Sequence, residues 1–165
     1  MFLYYTVLLK KMVSKTLNKS EIKEINQKTQ ELYEREFLSK KDFVQLIEKP
    51  IKHIKNNKKT TLFFYEDKPL PTLKILQKEN FLKKITVDMG AVKFVCNGAD
   101  IMRPGIVEID QDIEKNEIIT IIDEKNKMPI AIGQTKHTGQ ELQEMKDGKV
   151  IKNIHYVTDE IWQLE

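Results

Sequence analysis

The chain has few of the residues on which metal and redox sites depend. It contains one cysteine and three histidines among 165 residues. The lone Cys96 cannot form an intramolecular disulfide, and its apolar neighbours indicate a small buried thiol. His53, His137 and His155 lie in unrelated segments, and none has a second ligand at the spacing of a metal site. The sequence therefore predicts no metal and no cofactor.

Catalytic motifs are missing as well. The six glycines do not form a phosphate-binding loop followed by lysine, and the sequence has no CxxC, no HExxH and no serine in a nucleophile elbow. Asp42, Asp67 and Asp88 lie in no recognisable catalytic pattern. We therefore expect a protein that is not an enzyme.

No hydrophobic run reaches the roughly 18–20 residues that span a bilayer. The run MFLYYTVLL at residues 1–9 also lacks the positive flank and the cleavage site of a secretory signal. It has two open interpretations, a first strand or a stretch upstream of a native start at Met12, which would leave residues 1–11 outside the natural product. We expect a cytoplasmic protein without a membrane partner.

Charge divides the chain into two unequal halves. Residues 1–83 carry 18 Lys+Arg and 10 Asp+Glu, whereas residues 84–165 carry 10 and 15. The length suits two small domains, and a domain of about 80 residues buries only roughly 60% of its unfolded surface. We expect domains at 1–83 and 84–165. The basic half, through lysines such as Lys40, Lys41, Lys52, Lys55, Lys58 and Lys59, either attracts a polyanion at long range or is simply a solvated surface.

The first half predicts a mixture of helices and strands. Ser20 is a candidate N-cap for a helix over 21–36, and Ser39 for a second helix with an apolar stripe at Phe43, Leu46 and Ile47 that ends at Pro50. The remaining predicted elements are a strand pair at 51–55 and 60–66 and a helix that begins at Pro71.

The second half reads mostly as strands. Residues 84–110 predict a strand, a turn at Gly90, a short apolar helix closed by Asn97-Gly98, a turn at 103–105 and another strand. Further strands are predicted at 117–123, 128–133, 150–157 and 160–164, with a helix at 139–145. Short strands separated by turns are typical of a small barrel.

The segment DMGAVKFVCNGADIMRPGI resembles the core of the PUA domain, the RNA-binding module named for pseudouridine synthases and archaeosine transglycosylases. The resemblance continues through KMPIAIGQTKHTGQELQEMKDGKVIKNIHYVTDEIW and covers about residues 83–164. EFLSKKDFVQLIE and LFFYEDKPLPTLKIL are similar to the N-terminal domain of the malignant T-cell amplified sequence family. The resemblance implies an α+β protein: a small α/β N-terminal domain, then a PUA-type β pseudobarrel with two short helices.

The resemblance also implies an RNA-binding surface at the turn, helix and second turn of residues 89–105. The expected RNA-binding residues are Met89, Gly90, Lys93, Asn97, Gly98, Ala99, Asp100, Met102, Arg103, Pro104, Gly105, Lys149 and Lys152, with His155 as an additional candidate. Lys93 and Arg103 are expected to be exposed cations that contact phosphate or a base. Asp88 and Asp100 are expected to cap turns. An acidic half binds RNA through shape and a few placed cations rather than through bulk charge.

By resemblance, the chain is a translation factor that acts on small-subunit ribosomal RNA or on the acceptor end of tRNA. Relatives work with the ribosome and with a separate protein that carries an initiation-factor-like domain. Two alternatives stay open. In the first, the chain is an accessory module that targets an RNA-modification enzyme to tRNA or rRNA. In the second, it is a protein-interaction module whose PUA surface has lost RNA binding.

Overall fold

The computed structural model describes residues 13–164, so the apolar run at residues 1–9 lies outside the described residues. The chain divides into two compact units between Thr72 and Leu73. This division precedes the expected boundary at 83/84 because the helix α2 (Leu73–Lys78) packs on the second unit. There Gln77 donates a hydrogen bond of 2.9 Å from Nε2 to the carbonyl oxygen of Pro129.

Residues 13–72 form an antiparallel sheet covered by one long helix. The elements in chain order are β1 (Ser14–Thr16), α1 (Lys19–Tyr33), β2 (Val44–Ile47), β3 (His53–Asn56), β4 (Lys59–Tyr65) and β5 (Lys68–Pro71). The five strands pair in sequence order, β1-β2-β3-β4-β5. Ile22 of α1 packs with Val44, Leu46, Ile54 and Leu62 of the sheet in one buried cluster.

The helix α1 begins two residues earlier than Ser20 predicts. Asn18 is the N-cap: its side chain accepts from the backbone N–H groups of Ser20 and Glu21, and the Glu21 carboxylate accepts from the N–H of Asn18 in return. This reciprocal capping satisfies donors that a start at Ser20 would leave open. The helix ends at Tyr33, before the expected Glu36, because Glu34 adopts a left-handed conformation with φ of 56°.

The second helix predicted for the first half is wrong. Residues 44–47 form β2, which pairs with β3 through Val44–Asn56 and Ile47–His53. Apolar residues at 43, 44, 46 and 47 fit both a helix stripe and a buried strand, and the sheet contacts decide for the strand. Ser39 lies in a preceding turn, where its Oγ accepts from the N–H of Lys41 at 3.2 Å.

The strand pair predicted at 51–55 and 60–66 is confirmed as β3 and β4, joined by a tight turn at Asn57-Lys58. The strand β5 was not predicted, because it contains two prolines. Pro71 ends this strand and does not begin the next helix, which starts at Leu73. As the last strand of the sheet, β5 pairs with a strand on one side only, and such an edge strand tolerates proline.

Residues 73–164 form a curled six-stranded sheet with short helices. After α2 the elements are β6 (Lys84–Val87), α3 (Met89–Val95), β7 (Ile101–Met102), a 3₁₀ turn (Arg103–Gly105), β8 (Ile106–Ile109), β9 (Ile118–Asp123), β10 (Pro129–Thr135), α4 (Gly139–Glu144) and β11 (Lys149–Tyr156). The strand order is β7-β11-β10-β9-β6-β8, in which β6 and β9 are parallel and the other pairs antiparallel. The mixed helix-and-sheet class is therefore confirmed.

Most elements expected in this unit are present within a residue or two of their predicted bounds. The strand expected at 160–164 is wrong, because that segment forms consecutive turns. Asp159 holds these turns: its carboxylate accepts from the N–H of Trp162 at 2.8 Å and its carbonyl from the N–H of Gln163 at 3.2 Å. Within residues 13–164, no helix is both long and apolar enough to cross a bilayer.

Candidate nucleic-acid interface

The helix α3 is fixed at both ends by local signals in the sequence. Asp88 caps its start, as expected, and accepts a hydrogen bond of 2.8 Å from the N–H of Ala91. Past its end, Gly98 adopts a φ of +85°, which favours glycine. A Cβ at this position would lie 2.8 Å from the ring of Tyr156. Gly98 is therefore needed both for the turn and for close packing.

The 3₁₀ turn at Arg103–Gly105 is held against α3. The carbonyl of Gly105 accepts from the N–H of Asp88 at 2.9 Å, and a Cβ on Gly105 would come within 3.0 Å of the Ala91 side chain. Glycine at 105 thus lets the turn approach the helix closely. The turn and the helix form two walls of one surface groove.

This groove has a volume of about 750 Å³. Its lining residues come from α3, the 3₁₀ turn, β7 and the start of β11, and are Asp88, Gly90, Ala91, Phe94, Val95, Ala99, Asp100, Ile101, Met102, Pro104, Gly105 and Lys149. Phe94 and Met102 keep 59% and 49% of their surface exposed, and Met89 on the same helix keeps 43%. Exposed apolar side chains that lie together in one patch mark binding sites, whereas isolated ones do not.

Charged groups are few and lie at the rim. Lys149 pairs with Asp100 at 3.3 Å, and Asp100 also accepts from the N–H of Asn153 at 2.9 Å. Burial raises the pKa of Asp100, but the hydrogen bonds from Asn153 and Lys149 outweigh burial and hold this pKa below its ordinary value. Lys93 is exposed on α3, with Nζ 5.5 Å from the centroid of the Phe94 ring. The groove therefore combines an apolar surface with the Lys149–Asp100 ion pair, and Lys93 lies on α3 outside the groove lining.

Arg103 differs from the sequence expectation of an exposed cation. Its side chain is half-buried, and the guanidinium donates from Nε to the carbonyl of Leu142 and from Nη1 to the carbonyl of Ile106, the latter at 3.1 Å. Its backbone N–H donates to Gly148 at 2.8 Å. These bonds tie the 3₁₀ turn to the end of α4. The structure thus gives Arg103 a structural role.

Seven of the expected RNA-binding residues line the groove, namely Gly90, Ala99, Asp100, Met102, Pro104, Gly105 and Lys149. Met89, Lys93 and Asn97 are exposed on α3 or just past its end. Lys152 is exposed on β11 but does not line the groove, and Gly98 packs against Tyr156.

His155, the additional candidate, is wrong as a surface residue because it is fully buried. Its Nδ1 lies 2.8 Å from the carboxylate of Asp159, and its Nε2 accepts from the N–H of Leu73 at 3.2 Å. A histidine held on both ring nitrogens inside the unit cannot reach RNA.

Sequence reasoning missed Phe94, the most exposed large apolar side chain of the groove. The helix periodicity indicates that Phe94 lies on the exposed face of α3. Gly90 and Phe94 are four residues apart and share one face, whereas Val95 turns to the core. Because Gly90 has no side chain, the ring of Phe94 on the same helix face stays accessible to a ligand.

The structure shows no metal-binding cluster in the part that it describes. Across residues 13–164, no three His, Cys, Asp or Glu side chains gather to hold a metal ion. Cys96 is half-buried, and burial raises the pKa of its thiol, which disfavours the reactive thiolate.

Residues 83–157 match the family model described as PUA domain. Over 153 residues the chain is 39% identical to an uncharacterized protein of Methanocaldococcus jannaschii, covering 90% of this chain and 94% of that one. It is 30% identical to malignant T-cell-amplified sequence 1 of Rattus norvegicus, over 79% of this chain and 75% of that protein. Translation machinery-associated protein 20 of Schizosaccharomyces pombe is 36% identical, over 65% of this chain and 62% of that protein.

Solved structures agree with this assignment. The crystal structure of a hypothetical protein from Pyrococcus horikoshii has a TM-score of 0.78 at 31% identity, covering 92% of this chain and 99% of that one. A PUA domain protein from Thermoplasma acidophilum has a TM-score of 0.74 at 26% identity, over 92% and 98% of the two chains. The chain therefore belongs to the PUA-domain family that includes malignant T-cell-amplified sequence 1 and its archaeal relatives.

Proposed function

We propose that this chain is a non-enzymatic RNA-binding protein of the translation machinery, and that the groove between α3 and the 3₁₀ turn is its RNA-binding site. The observation that carries the proposal is the groove itself, in which Phe94 and Met102 are exposed beside Lys93 and Lys149. Two relatives are named for translation machinery and for an amplified T-cell sequence. The family relationship supports a role in translation.

The composition of the groove favours unpaired nucleotides over the backbone of a long duplex. Residues 84–165 carry more acids than bases, so non-specific attraction of phosphates is weak there. Exposed aromatic and thioether side chains provide surfaces on which splayed bases pack, and lysines at the rim can neutralise one or two phosphates. Single-stranded segments of small-subunit ribosomal RNA and the unpaired acceptor end of tRNA both have this character. We propose these as the substrates, in the cytoplasm.

A protein partner completes the proposal. By family resemblance, the chain acts on the ribosome together with a separate protein that carries an initiation-factor-like domain. The chain itself contributes RNA binding through the α3 groove.

A matched pair of methionine substitutions tests the groove. Met102 is 49% exposed in the groove, and Met128 is 41% exposed outside its lining. We expect Met102→Ala to weaken binding of a fluorescent single-stranded RNA ending in CCA, measured by anisotropy, by about three- to tenfold, because a base loses a packing surface. Met128→Ala should leave the affinity unchanged. Equal effects of the two substitutions would contradict the assignment of the groove.

A further inference from the structure

Two lysine-bearing loops meet at one end of the N-terminal sheet. Lys40 and Lys41 precede β2, and Lys58 and Lys59 lie in the β3–β4 hairpin. Phe43 joins the loops: its N–H donates to the side-chain oxygen of Asn57 at 3.0 Å, and its carbonyl accepts from the N–H of Asn57 at 2.9 Å. Residues distant in sequence thus form one surface. We call Lys40, Lys41, Phe43, Lys58 and Lys59 the basic patch.

The acid within these loops is Asp42, which is hydrogen-bonded by asparagines and forms no ion pair with the lysines of the patch. The carboxylate of Asp42 accepts from Nδ2 of Asn56 at 3.0 Å, and hydrogen bonds from Asn56 and Asn57 hold the pKa of Asp42 below its ordinary value. All four lysines of the patch are exposed. Among residues 13–164, none of these lysines has a carboxylate within ion-pair distance. The patch therefore carries four lysines without an ion-pair partner in the described part of the chain, next to one ionised carboxylate, that of Asp42.

The patch also has an exposed aromatic ring and a concave neighbour. Phe43 keeps 49% of its surface exposed. Beside it lies a groove of about 620 Å³, whose charged lining residues are three lysines, Lys23, Lys40 and Lys41, and two acids, Glu36 and Asp42, with Phe37 as its aromatic residue. A solvated lysine surface needs neither an exposed ring nor a groove. Both are features of surfaces that bind single-stranded nucleic acid.

The hairpin tip keeps a lysine where glycine would be more stable. Asn57 and Lys58 have φ values of 48° and 72°, so both central turn residues are left-handed. Such two-residue turns favour Asn-Gly, because a side chain at the second position is strained. The β4–β5 hairpin has the same geometry at Glu66 and Asp67, with φ values of 48° and 60°. Both hairpins share this strain, which therefore provides a matched test of the patch and is not itself a sign of binding.

We infer that the basic patch is a second RNA-binding surface, separate from the α3 groove, on which lysines neutralise phosphates and Phe43 stacks on an unpaired base. Lysines alone would fit an acidic protein equally well. The exposed ring between the two lysine loops favours RNA, because every base offers a face for stacking. This surface lies on the basic half of the chain, where long-range attraction of phosphates is strongest.

The strained turn provides a test in which stability and binding change in opposite directions. We expect Lys58→Gly to raise the Tm by several degrees, because glycine relieves the left-handed strain. The same substitution should weaken binding of a mixed-sequence single-stranded RNA, and should lower the slope of log affinity against log salt by about 0.7, the value for one phosphate contact. Asp67→Gly relieves the same strain in the neighbouring hairpin and should raise the Tm without weakening RNA binding.

Phe43 has a matched control on α1. Leu32 is 47% exposed, close to the 49% of Phe43. Phe43→Ala should weaken RNA binding by about tenfold through loss of stacking, whereas Leu32→Ala should have no effect. The measurements use the full chain, and Lys93→Gln is included to report on the α3 groove. Loss of binding in Lys93→Gln alone would support the groove and overturn the patch.

Two further outcomes would overturn the inference. If the Lys58→Gly variant and the Phe43→Ala variant both bind RNA as tightly as the wild type, the patch does not contact RNA. In a competition assay, polyglutamate could displace labelled RNA as well as unlabelled RNA of equal charge does. If polyglutamate binding were also weakened by Lys58→Gly but not by Phe43→Ala, the patch would be a surface for acidic proteins instead.

Discussion

Arg103 provides the sharpest separation of a structural role from a binding role. Its guanidinium donates to the carbonyls of Leu142 and Ile106, and Leu142 is fully buried. Replacement by methionine keeps the length of the side chain but removes both donors. A hydrogen bond from a charged donor contributes about 1.5–3 kcal/mol, and a buried acceptor left without a partner has a further cost. Discounting for partial exposure, we expect Arg103→Met to lower the free energy of unfolding by about 2–4 kcal/mol.

The assay is urea unfolding followed by the fluorescence of Trp162, the one tryptophan of the chain, which lies in the same unit. Lys93→Met is the matched control, because Lys93 is exposed and its replacement should change stability by less than about 0.5 kcal/mol. Arg103→Lys keeps the charge but offers no planar fork, and should recover only part of the loss. An Arg103→Met variant as stable as Lys93→Met but weaker in RNA binding would refute the structural role.

Three further predictions concern the stability of residues 73–164. Gly98→Ala should lose about 2–4 kcal/mol in urea unfolding, from left-handed strain and the clash with Tyr156. Gly148→Ala, whose Cβ would meet its nearest atom at 3.9 Å, should lose only the roughly 1–2 kcal/mol of strain; equal losses would exclude the clash. Asp88→Ala should cost about 0.5–2 kcal/mol of the N-cap, and Asp88→Asn much less; equal losses in thermal melts would argue against capping. Asp159 has a folded pKa below its ordinary value. Burial raises this pKa, but hydrogen bonds from His155 and two backbone N–H groups lower it by more. Its stabilisation is therefore present above the unfolded pKa of about 3.9 and lost as pH falls through the lower folded value. Asp159→Asn should flatten that acid limb of the stability profile, and an unchanged limb would exclude this source.

The helix α3 and the turn after it were predictable because their signals are local, whereas the turn expected at Gly90 is wrong because Gly90 lies inside the helix. Asp88 and Gly98 specify the two ends of the helix through neighbouring backbone groups. The hairpin at Asn57-Lys58 was equally local, since two β-rich segments flank a short polar turn. Elements of this kind need no knowledge of distant partners.

The errors occurred where distant contacts decide the outcome. Residues 44–47 fit both periodicities, and only pairing with β3 makes them a strand. Arg103 reads as a surface cation until the carbonyl of Leu142, 39 residues away, comes within reach. His155 is separated by 82 residues from Leu73, whose N–H it accepts. No local pattern records these partners.

Ultraviolet crosslinking in cells, followed by sequencing of the bound RNA, tests the central claim most directly. It would compare the wild type with a Lys93→Glu, Phe94→Ser variant and with a Lys115→Glu, Val107→Ser control at matched protein levels. Lys115 and Val107 are exposed and do not line the groove. We predict enrichment of small-subunit ribosomal RNA or tRNA 3′ ends in the wild type and the control, and a marked decrease in the groove variant, which keeps only the basic patch. Crosslinks that persist unchanged in the groove variant would contradict RNA binding by the groove.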